Sequence, residues 1–412
     1  MVIRELEARY LELSEAESDF LLRRYHRHIH LQPAVGAPGV WLVCATDCCG
    51  VIPLPGGRPL HIEPKADIAN LWRLLTADCD LMEFNEERVG LQTVAELLWS
   101  LAEIFVKRCE RLVDAGLLRG YRPREEDLRS VRGRLDVTRT VRRRPGTRHL
   151  LACRYDELTA DILENRILRW TLHRLARGYF GARDDLRARA ARCEARMTGV
   201  ETVAVTDYDF SQVHFDALNR HYRTPLALAE LLLDALGVTH RPGRFDLPPM
   251  FLNMPVVFER FAAGLLARAL RDTDLRAHSS AHSTALDDHG RLAVTPDVLV
   301  TRAGEPVCVI DAKYKLAPDG SGRGIPAAGD VYQMLAYCVG YGVSDAVLVY
   351  PERLREEESG SPGRPALTIT RQGVTVNIHV TGFNLAGPPE DFDKECERLG
   401  RLVRMIGRPV MV

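Results

Sequence analysis

The segment LAVTPDVLVTRAGEPVCVIDAKYK, residues 292–315, limits the fold more tightly than any other stretch of this chain. Val298 to Val300 and Val307 to Ile310 are β-branched or apolar, and Ala303-Gly304-Glu305 supplies turn residues between them. Two strands of a hairpin are the simplest reading. A three-residue loop pairs Arg302 with Pro306, and counting outward from that pair sets Asp297 opposite Asp311. Side chains alternate along a strand, so Asp311 and Lys313 share one face while Ile310 and Ala312 take the other. Like charges directly opposite each other destabilise a sheet. A divalent cation bound by both carboxylates turns that penalty into a site. The opposition depends on the register; the shared face of Asp311 and Lys313 does not.

Lysine usage singles out the same place. The chain holds 55 Lys plus Arg, and its lysines are Lys65, Lys107, Lys313, Lys315 and Lys394. A sequence that uses Arg almost everywhere therefore sets two lysines within DAKYK. Lys is a compact, titratable point charge, suited to a position beside a water or a scissile phosphate. The other reading is a surface hairpin with ordinary salt bridges, which the flanking apolar residues disfavour.

The elements around this hairpin are legible from periodicity. A helix is expected over Pro255 to Arg271, a weak strand near Ala277 to Ala285, and then the hairpin itself. A helix over Asp330 to Tyr341 leads into a strand at Ala346 to Tyr350, and Gly373 to Leu385 alternates well enough to add another. The order is αβββαβ, a mixed sheet flanked by helices. Upstream, VWLVCAT, VIPLPGG and LHIEPKA read as short strands. Leu91 to Leu118, Glu157 to Arg177, Leu186 to Met197 and Leu218 to Leu236 read as helices. RPGRFDLPPM, residues 241–250, reads as a linker. The expected division is a mixed α/β and helical region at 1–245 and a catalytic domain at 250–412.

Asp297 with Asp311-Ala312-Lys313 resembles the PD-(D/E)xK nuclease motif, and DAKYK followed by DVYQMLAYC resembles the McrC subunit of McrBC-type, 5-methylcytosine-specific restriction systems. EPKADIANLWRLL from Glu63, SVRGRLDVTRTV from Ser130, CRYDELTADILENRILRWTL from Cys153 and VFERFAAGLL from Val257 extend the likeness in the same order. The short nuclease pattern is permissive alone; five ordered blocks are far more specific. The resemblance implies a restriction-endonuclease-like αβββαβ core and an endonuclease that hydrolyses DNA phosphodiester bonds. It implies Asp297, Asp311 and Lys313 as catalytic residues, with Glu259 joining the two aspartates on Mg²⁺, or Mn²⁺ in its place. Gln333 and Tyr337, four apart on one helix face, are candidates for supporting roles.

Such a metal lowers the pKa of a water and polarises a phosphoryl oxygen, while Lys313 orients the attacking water. No Gly-Lys pair occurs, so the chain has no phosphate-binding loop of the G-x-x-x-x-G-K-[ST] type. The resemblance supplies the missing engine as a partner, a hexameric McrB-like AAA+ NTPase engaged by the N-terminal half. The substrate is then double-stranded, modified DNA. Two other readings stay open: a stand-alone nuclease of DNA repair or recombination, and a non-catalytic adaptor.

Composition narrows the classes further. No stretch approaches the roughly 18 apolar residues needed to cross a membrane, and the charged start lacks a signal-peptide core. A cytoplasmic protein is expected. Ten cysteines form no C-x-x-C pair. Cys44, Cys48 and Cys49 lie near His26, His28 and His30 in sequence, where buried thiols are favoured over a metal site. The formal net charge of -1 argues against a globally basic DNA binder. Arg139, Arg142, Arg143 and Arg144, within an Arg-rich run from Arg119 to Arg154, either grip phosphates or an acidic partner, or form a solvated face.

Overall fold

The β-branched runs at 298–302 and 305–312 form the hairpin at the heart of a six-stranded sheet. Its strand order is Leu275–Ser279, Val298–Arg302, Glu305–Ala312, Asp345–Tyr350, Val374–Gly382, Leu367–Arg371. The structure is a computed structural model and describes residues 1–66, 68–76, 93–142, 149–177, 184–235, 250–279, 283–315, 326–351, 364–371, 373–385, 387–388 and 391–407. Helix Met254–Ala269 precedes this sheet, Ala328–Tyr341 crosses between two parallel strands, and Phe392–Ile406 follows. The expected order αβββαβ is present. The weak strand expected at 277–285 is instead Leu275–Ser279 plus a two-residue bridge, Thr284–Ala285 with Ala293–Val294.

The hairpin reaches the expected register by another route. Arg302 pairs with Glu305, not Pro306, across a two-residue turn whose residues Ala303 and Gly304 have φ of 50° and 92°. Positive φ at both positions is what a tight hairpin turn demands, and glycine meets it without a Cβ penalty. The shorter turn shifts the pairing by one. An irregularity between Val300 and Thr301 shifts it back, because Val300 pairs with Cys308 and Val307 is the extra residue. Val298 consequently pairs with Ile310, and Asp297 and Asp311 are the next positions outward.

Period-two alternation sets Asp311 on the face of its strand that carries Val309. Val309 is buried with Met334, Tyr337 and Cys338 of the crossover helix and with Ala346, Leu348 and Tyr350 of the neighbouring strand. The acid is therefore turned toward that helix. Helix Met254–Ala269 is anchored by aromatic packing: Phe261 lies 4.9 Å from Phe383 and 5.4 Å from Phe392, and Phe258 lies 5.9 Å from Tyr314.

By contact the chain forms two units, Met1–Leu97 with Pro249–Val412, and Leu98–Pro248. The first ninety-seven residues thus group with the C-terminal part. Strand pairing explains this. Met250–Asn253 lies antiparallel to Cys48–Val51, and Met254 N–H donates to the Asp47 carbonyl at 2.9 Å, so the first core helix starts from an N-terminal sheet. That sheet has the order Val2–Arg4, Pro59–Glu63, Cys48–Pro53, Met250–Asn253. Buried Asn70 donates from Nδ2 to the carbonyls of Leu385 and Gly387 at 2.9 and 2.7 Å. Residues 236–249, most of the expected linker, lie outside the described residues.

The second unit joins a three-stranded sheet, Gly120–Leu128, Leu151–Thr159 and Arg134–Leu135, to helices Leu163–Ala176, Asp184–Arg196 and Arg223–Ala235. The helix expected from Glu157 starts later, because Leu151–Thr159 is spent on the sheet. Asp161 holds this unit together. It accepts from Arg166 Nε and Nη2 at 2.7 and 2.6 Å, from the Glu201 N–H at 2.9 Å, and from Arg122. No helix of the described residues is long and apolar enough to cross a membrane.

The short bridge before Asp297 rests on the crossover helix at Gly340. A Cβ there would stand 2.8 Å from Thr284 Cγ2 and 3.2 Å from Leu286 Cδ2 and Val294 Cγ2. Gly→Ala in a helix normally gains about 1 kcal/mol, whereas overpacking against a χ1-stiff Thr costs about 1–3 kcal/mol. Gly340→Ala should therefore lower the melting temperature by a few degrees and displace the segment that delivers Asp297. An unchanged or raised melting temperature would show that the bridge does not pack as described.

Candidate active site

Three elements converge at the open end of the hairpin. Pro296 and Asp297 lead into strand Val298–Arg302, and Asp311 and Lys313 end the paired strand. Asp297 turns back onto the sheet: the Ala312 N–H donates to its Oδ2 at 2.7 Å. Asp311, 1% exposed, meets Lys313 Nζ at 2.6 Å through its Oδ2. This short ion pair is the partner that the buried oxygen has among the described residues. Lys313 is held in turn by its own N–H, which donates to the Val349 carbonyl at 2.8 Å and prolongs the sheet past Ala312.

The electrostatics follow from crowding acids in a poorly hydrated place. Burial raises the Asp297 carboxyl to about 6, assisted by the charge of Asp311, while the Ala312 N–H and Lys313 pull the other way. Asp311 is also raised by burial, and Lys313 opposes the rise. Glu259, on helix Met254–Ala269, is pushed to about 7 by burial and then by the charges of Asp297 and Asp311. It is thus within charge range of both aspartates. Among the described residues, however, no three Asp, Glu, His or Cys side chains stand close enough to share one metal ion. The expected three-carboxylate ligand set is therefore not assembled as such.

The remaining donors still suit a hard divalent cation. Mg²⁺ is commonly held by one or two carboxylates with retained waters and substrate phosphates. Asp297 and Asp311 supply that pair, and the ammonium drawn to the buried Asp311 oxygen marks where positive charge is favoured.

Tyr337 is within charge range of the acids, and Gln333 is tied to Tyr337. Gln333 Nε2 donates to Tyr337 Oη at 2.7 Å. The Tyr337 hydroxyl is pushed up to about 12 by burial, and next by Asp311, with Asp297 and Glu259 adding to the rise. Their helix thus brings a phenol within charge range of the acids.

Two sets of residues were not anticipated. Lys315 Nζ lies 2.7 Å from Asp330 Oδ1, and Tyr350 Oη donates to Asp330 Oδ2 at 2.7 Å. On the opposite side of the strand end, Tyr314 Oη donates to Glu5 Oε2 at 2.8 Å and Lys65 Nζ lies 4.3 Å from the Tyr314 ring centroid. Glu5 is raised to about 7, chiefly by burial. The doubled lysine of DAKYK was a visible signal for the first set; the second depends on residues some three hundred positions apart and has no local signature.

Elsewhere the candidates separate. Arg139 is paired with Glu125 at 3.1 Å and Asp127 at 3.6 Å, so its charge is largely met within the sheet. Arg142 is exposed, just past a short helix, and Arg143 and Arg144 lie outside the described residues. Cys48 and Cys49 are fully buried, and His28 Nδ1 pairs with Asp47 Oδ1 at 2.7 Å.

Comparison with known proteins gives four matches of note. The family described as McrBC 5-methylcytosine restriction system component matches residues 43–351. The type IV methyl-directed restriction enzyme EcoKMcrBC of Escherichia coli strain K12 is 22% identical over 260 residues, 61% of this chain and 74% of that protein. Among solved structures, a half-complex from a tetradecameric assembly of Thermococcus gammatolerans McrB AAA+ hexamers with bound McrC matches with a TM-score of 0.48 and 18% identity, covering 98% of this chain and 99% of that one. The cryo-EM structure of the Thermococcus gammatolerans McrBC complex matches with a TM-score of 0.41 and 20% identity, covering 66% and 88%.

The raised acids generate a signed prediction. Asp297 and Glu259 hold their protons more tightly when folded, at about 6 and about 7, than in an unfolded chain. Their contribution to stability is therefore complete below the unfolded carboxylate range near pH 4 and is lost as pH rises through 6 and 7. Relative to the parent chain, Asp297→Asn should gain about 1–2 kcal/mol between pH 4 and pH 8. Divalent-cation binding should strengthen over the same window and release protons, read by calorimetry in buffers of different ionisation enthalpy. Cation binding that is independent of pH and buffer would contradict the assignment.

Proposed function

The chain belongs to the family of McrBC 5-methylcytosine restriction system components, and from that premise we propose that it is the nuclease subunit of a modification-dependent restriction complex. It hydrolyses phosphodiester bonds of double-stranded DNA with Mg²⁺ and works with a hexameric McrB-like AAA+ NTPase whose turnover it stimulates. The observation that carries the catalytic part is the convergence of Asp297, Asp311 and Lys313 at one end of a buried hairpin, with Glu259 and Tyr337 facing them. An adaptor has no use for two crowded aspartates whose charged forms are disfavoured by burial.

Asp297 and Asp311 would hold the divalent cation, and when bound it would acidify a water and polarise the phosphoryl group under attack. The chain's own groups supply the rest. Lys313 Nζ, 2.6 Å from Asp311, orients the attacking water and offsets the negative charge that develops on the phosphoryl oxygens. The Ala312 N–H fixes the Asp297 carboxylate, committing one oxygen to the sheet and leaving the other to serve the cation. Glu259 titrates near neutrality and can hold a proton beside the reacting groups. Hydrolysis adds water across the P–O bond: the water oxygen bonds to phosphorus, the bond to the leaving sugar oxygen breaks, and that oxygen takes up a proton.

A separate motor accounts for what the sequence lacks. With no phosphate-binding loop and a formal net charge of -1, the chain has no NTP-hydrolysing engine and little basic surface for DNA. A partner that grips and translocates DNA raises the local concentration of substrate at the nuclease. The Leu98–Pro248 unit, folded apart from the catalytic residues, is the part we assign to that partner.

The decisive assay is nicking and linearisation of DNA by the chain with and without its NTPase partner at physiological salt. Cleavage should require the partner, a hydrolysable nucleotide and Mg²⁺ together, and robust cutting by the chain alone would favour a stand-alone nuclease. Lys313→Ala should slow cleavage by about 10²–10³-fold, and Asp311→Ala should abolish it. Both variants should stimulate the partner's NTP turnover normally. Mg²⁺-dependent cutting retained by Asp311→Ala would remove the catalytic assignment.

A further inference from the structure

Two of the chain's five lysines flank Tyr314, and the chemistry above uses only the first. Lys315 is brought back beside Lys313 by a tight turn in which its N–H donates to the Lys313 carbonyl at 2.9 Å. Its ammonium is fixed from behind by Asp330 Oδ1 at 2.7 Å. The other oxygen of Asp330 accepts from Tyr350 Oη at 2.7 Å. Asp330 is 5% exposed, whereas the Lys315 side chain keeps 44% of its surface in solvent. The acid is thus committed inside the fold, and the cation is presented at its surface.

Position ties this trio to the active site. Asp330 opens the helix that carries Gln333 and Tyr337, and Tyr350 ends the strand that pairs with the one bearing Asp311. Asp311 feels both Asp330 and Lys315. The choice of lysine also has a physical reason. A guanidinium would close a bidentate fork on Asp330 and be used up. An ammonium has three donors, spends one on Asp330, and keeps the others for a second acceptor. Tyr350 draws on the far oxygen of Asp330, so the carboxylate opposes an approaching anion less than a bare one would.

We propose that Lys315 is a second phosphate ligand of this site, aimed by the buried Asp330–Tyr350 pair at a DNA phosphate adjoining the scissile one. Asp330 is then a positioning residue and Lys315 a substrate-binding one. The proposal rests on the nuclease reading, and the contrasting possibility is a purely structural clamp between the strand end and the helix.

The test is the salt dependence of double-stranded DNA binding and cleavage by the complex of full-length chain and NTPase partner. A phosphate contact contributes about one unit to the slope of log affinity against log salt. Lys315→Gln should reduce that slope by about one and raise KM several-fold with a smaller change in kcat. Lys315→Arg, whose guanidinium is taken up by Asp330, should lower the slope as well. Asp330→Asn, which retains the lysine charge but loosens its aim, should keep the slope and lose rate. A Lys315→Gln complex that melts earlier but keeps the parent slope and KM is a structural clamp, and the proposal falls. A parent complex that neither binds nor cuts DNA overturns the nuclease reading itself, an outcome distinct from a lysine that simply makes no phosphate contact.

Discussion

The register of one hairpin governs the whole candidate site. Asp297 and Asp311 face each other only because strand Val298–Arg302 meets strand Glu305–Ala312 with an even offset at their open end. A slip of one residue would turn Asp311 away from the crossover helix and set an apolar side chain in its place. Two devices fix the offset: the positive-φ turn at Ala303-Gly304 and the extra residue Val307, whose shifts cancel. A third secures the outcome, because the Ala312 N–H reaches across to Asp297 and uses that carboxylate as a continuation of the sheet. Sheet pairing that forces two acids together is unfavourable in isolation. Burial of Val298, Val300, Cys308, Val309 and Ile310 at 0% exposure supplies the hydrophobic gain that offsets it.

The strand that carries the acids is clamped on both faces. On one side, Asp311 and Lys313 look toward Gln333, Tyr337 and the Asp330–Lys315–Tyr350 set. On the other, Tyr314 reaches Glu5, the last residue before a Leu6 with φ of 65°, while Asn70 ties a second N-terminal segment to Leu385 and Gly387. Lys313 is thus followed by a tyrosine tied to Glu5 at the end of an N-terminal strand. This is why residues 1–97 belong with 249–412 in one unit, and why a cut at 249 would strip the strand Met250–Asn253 of its partner.

Much of the core was legible because it is written in local periodicity. Alternation at 298–302 and 305–312, helical spacing at 254–269 and 328–341, and the apolar run at 345–350 each announce their own element, and their order follows the chain. The shared face of Asp311 and Lys313 follows from the same rule. The turn was misjudged, since three-residue and two-residue loops differ by a bulge that no local residue preference declares. Long-range partners were invisible: Met250–Asn253 with Cys48–Val51, Glu5 with Tyr314, and Asn70 with two distant carbonyls. The helix expected from Glu157 takes in the last three residues of strand Leu151–Thr159, because their spacing blends into that of Leu163–Ala176 and only pairing with Gly120–Leu128 makes them strand. The Arg-rich run looked basic in sequence. In the fold Arg139 meets Glu125 and Asp127, and Arg154 meets Glu125 and Asp136, so much of that charge is answered locally.

The central claim is that Asp297 and Asp311 form one divalent-cation site. Anomalous diffraction from crystals soaked with Mn²⁺ tests it most directly. The expected result is a single strong peak bonded to carboxylate oxygens of both aspartates, absent from the Asp311→Asn protein. Manganese bound elsewhere, with the two carboxylates bare in a protein whose DNA cleavage requires the metal, would contradict it.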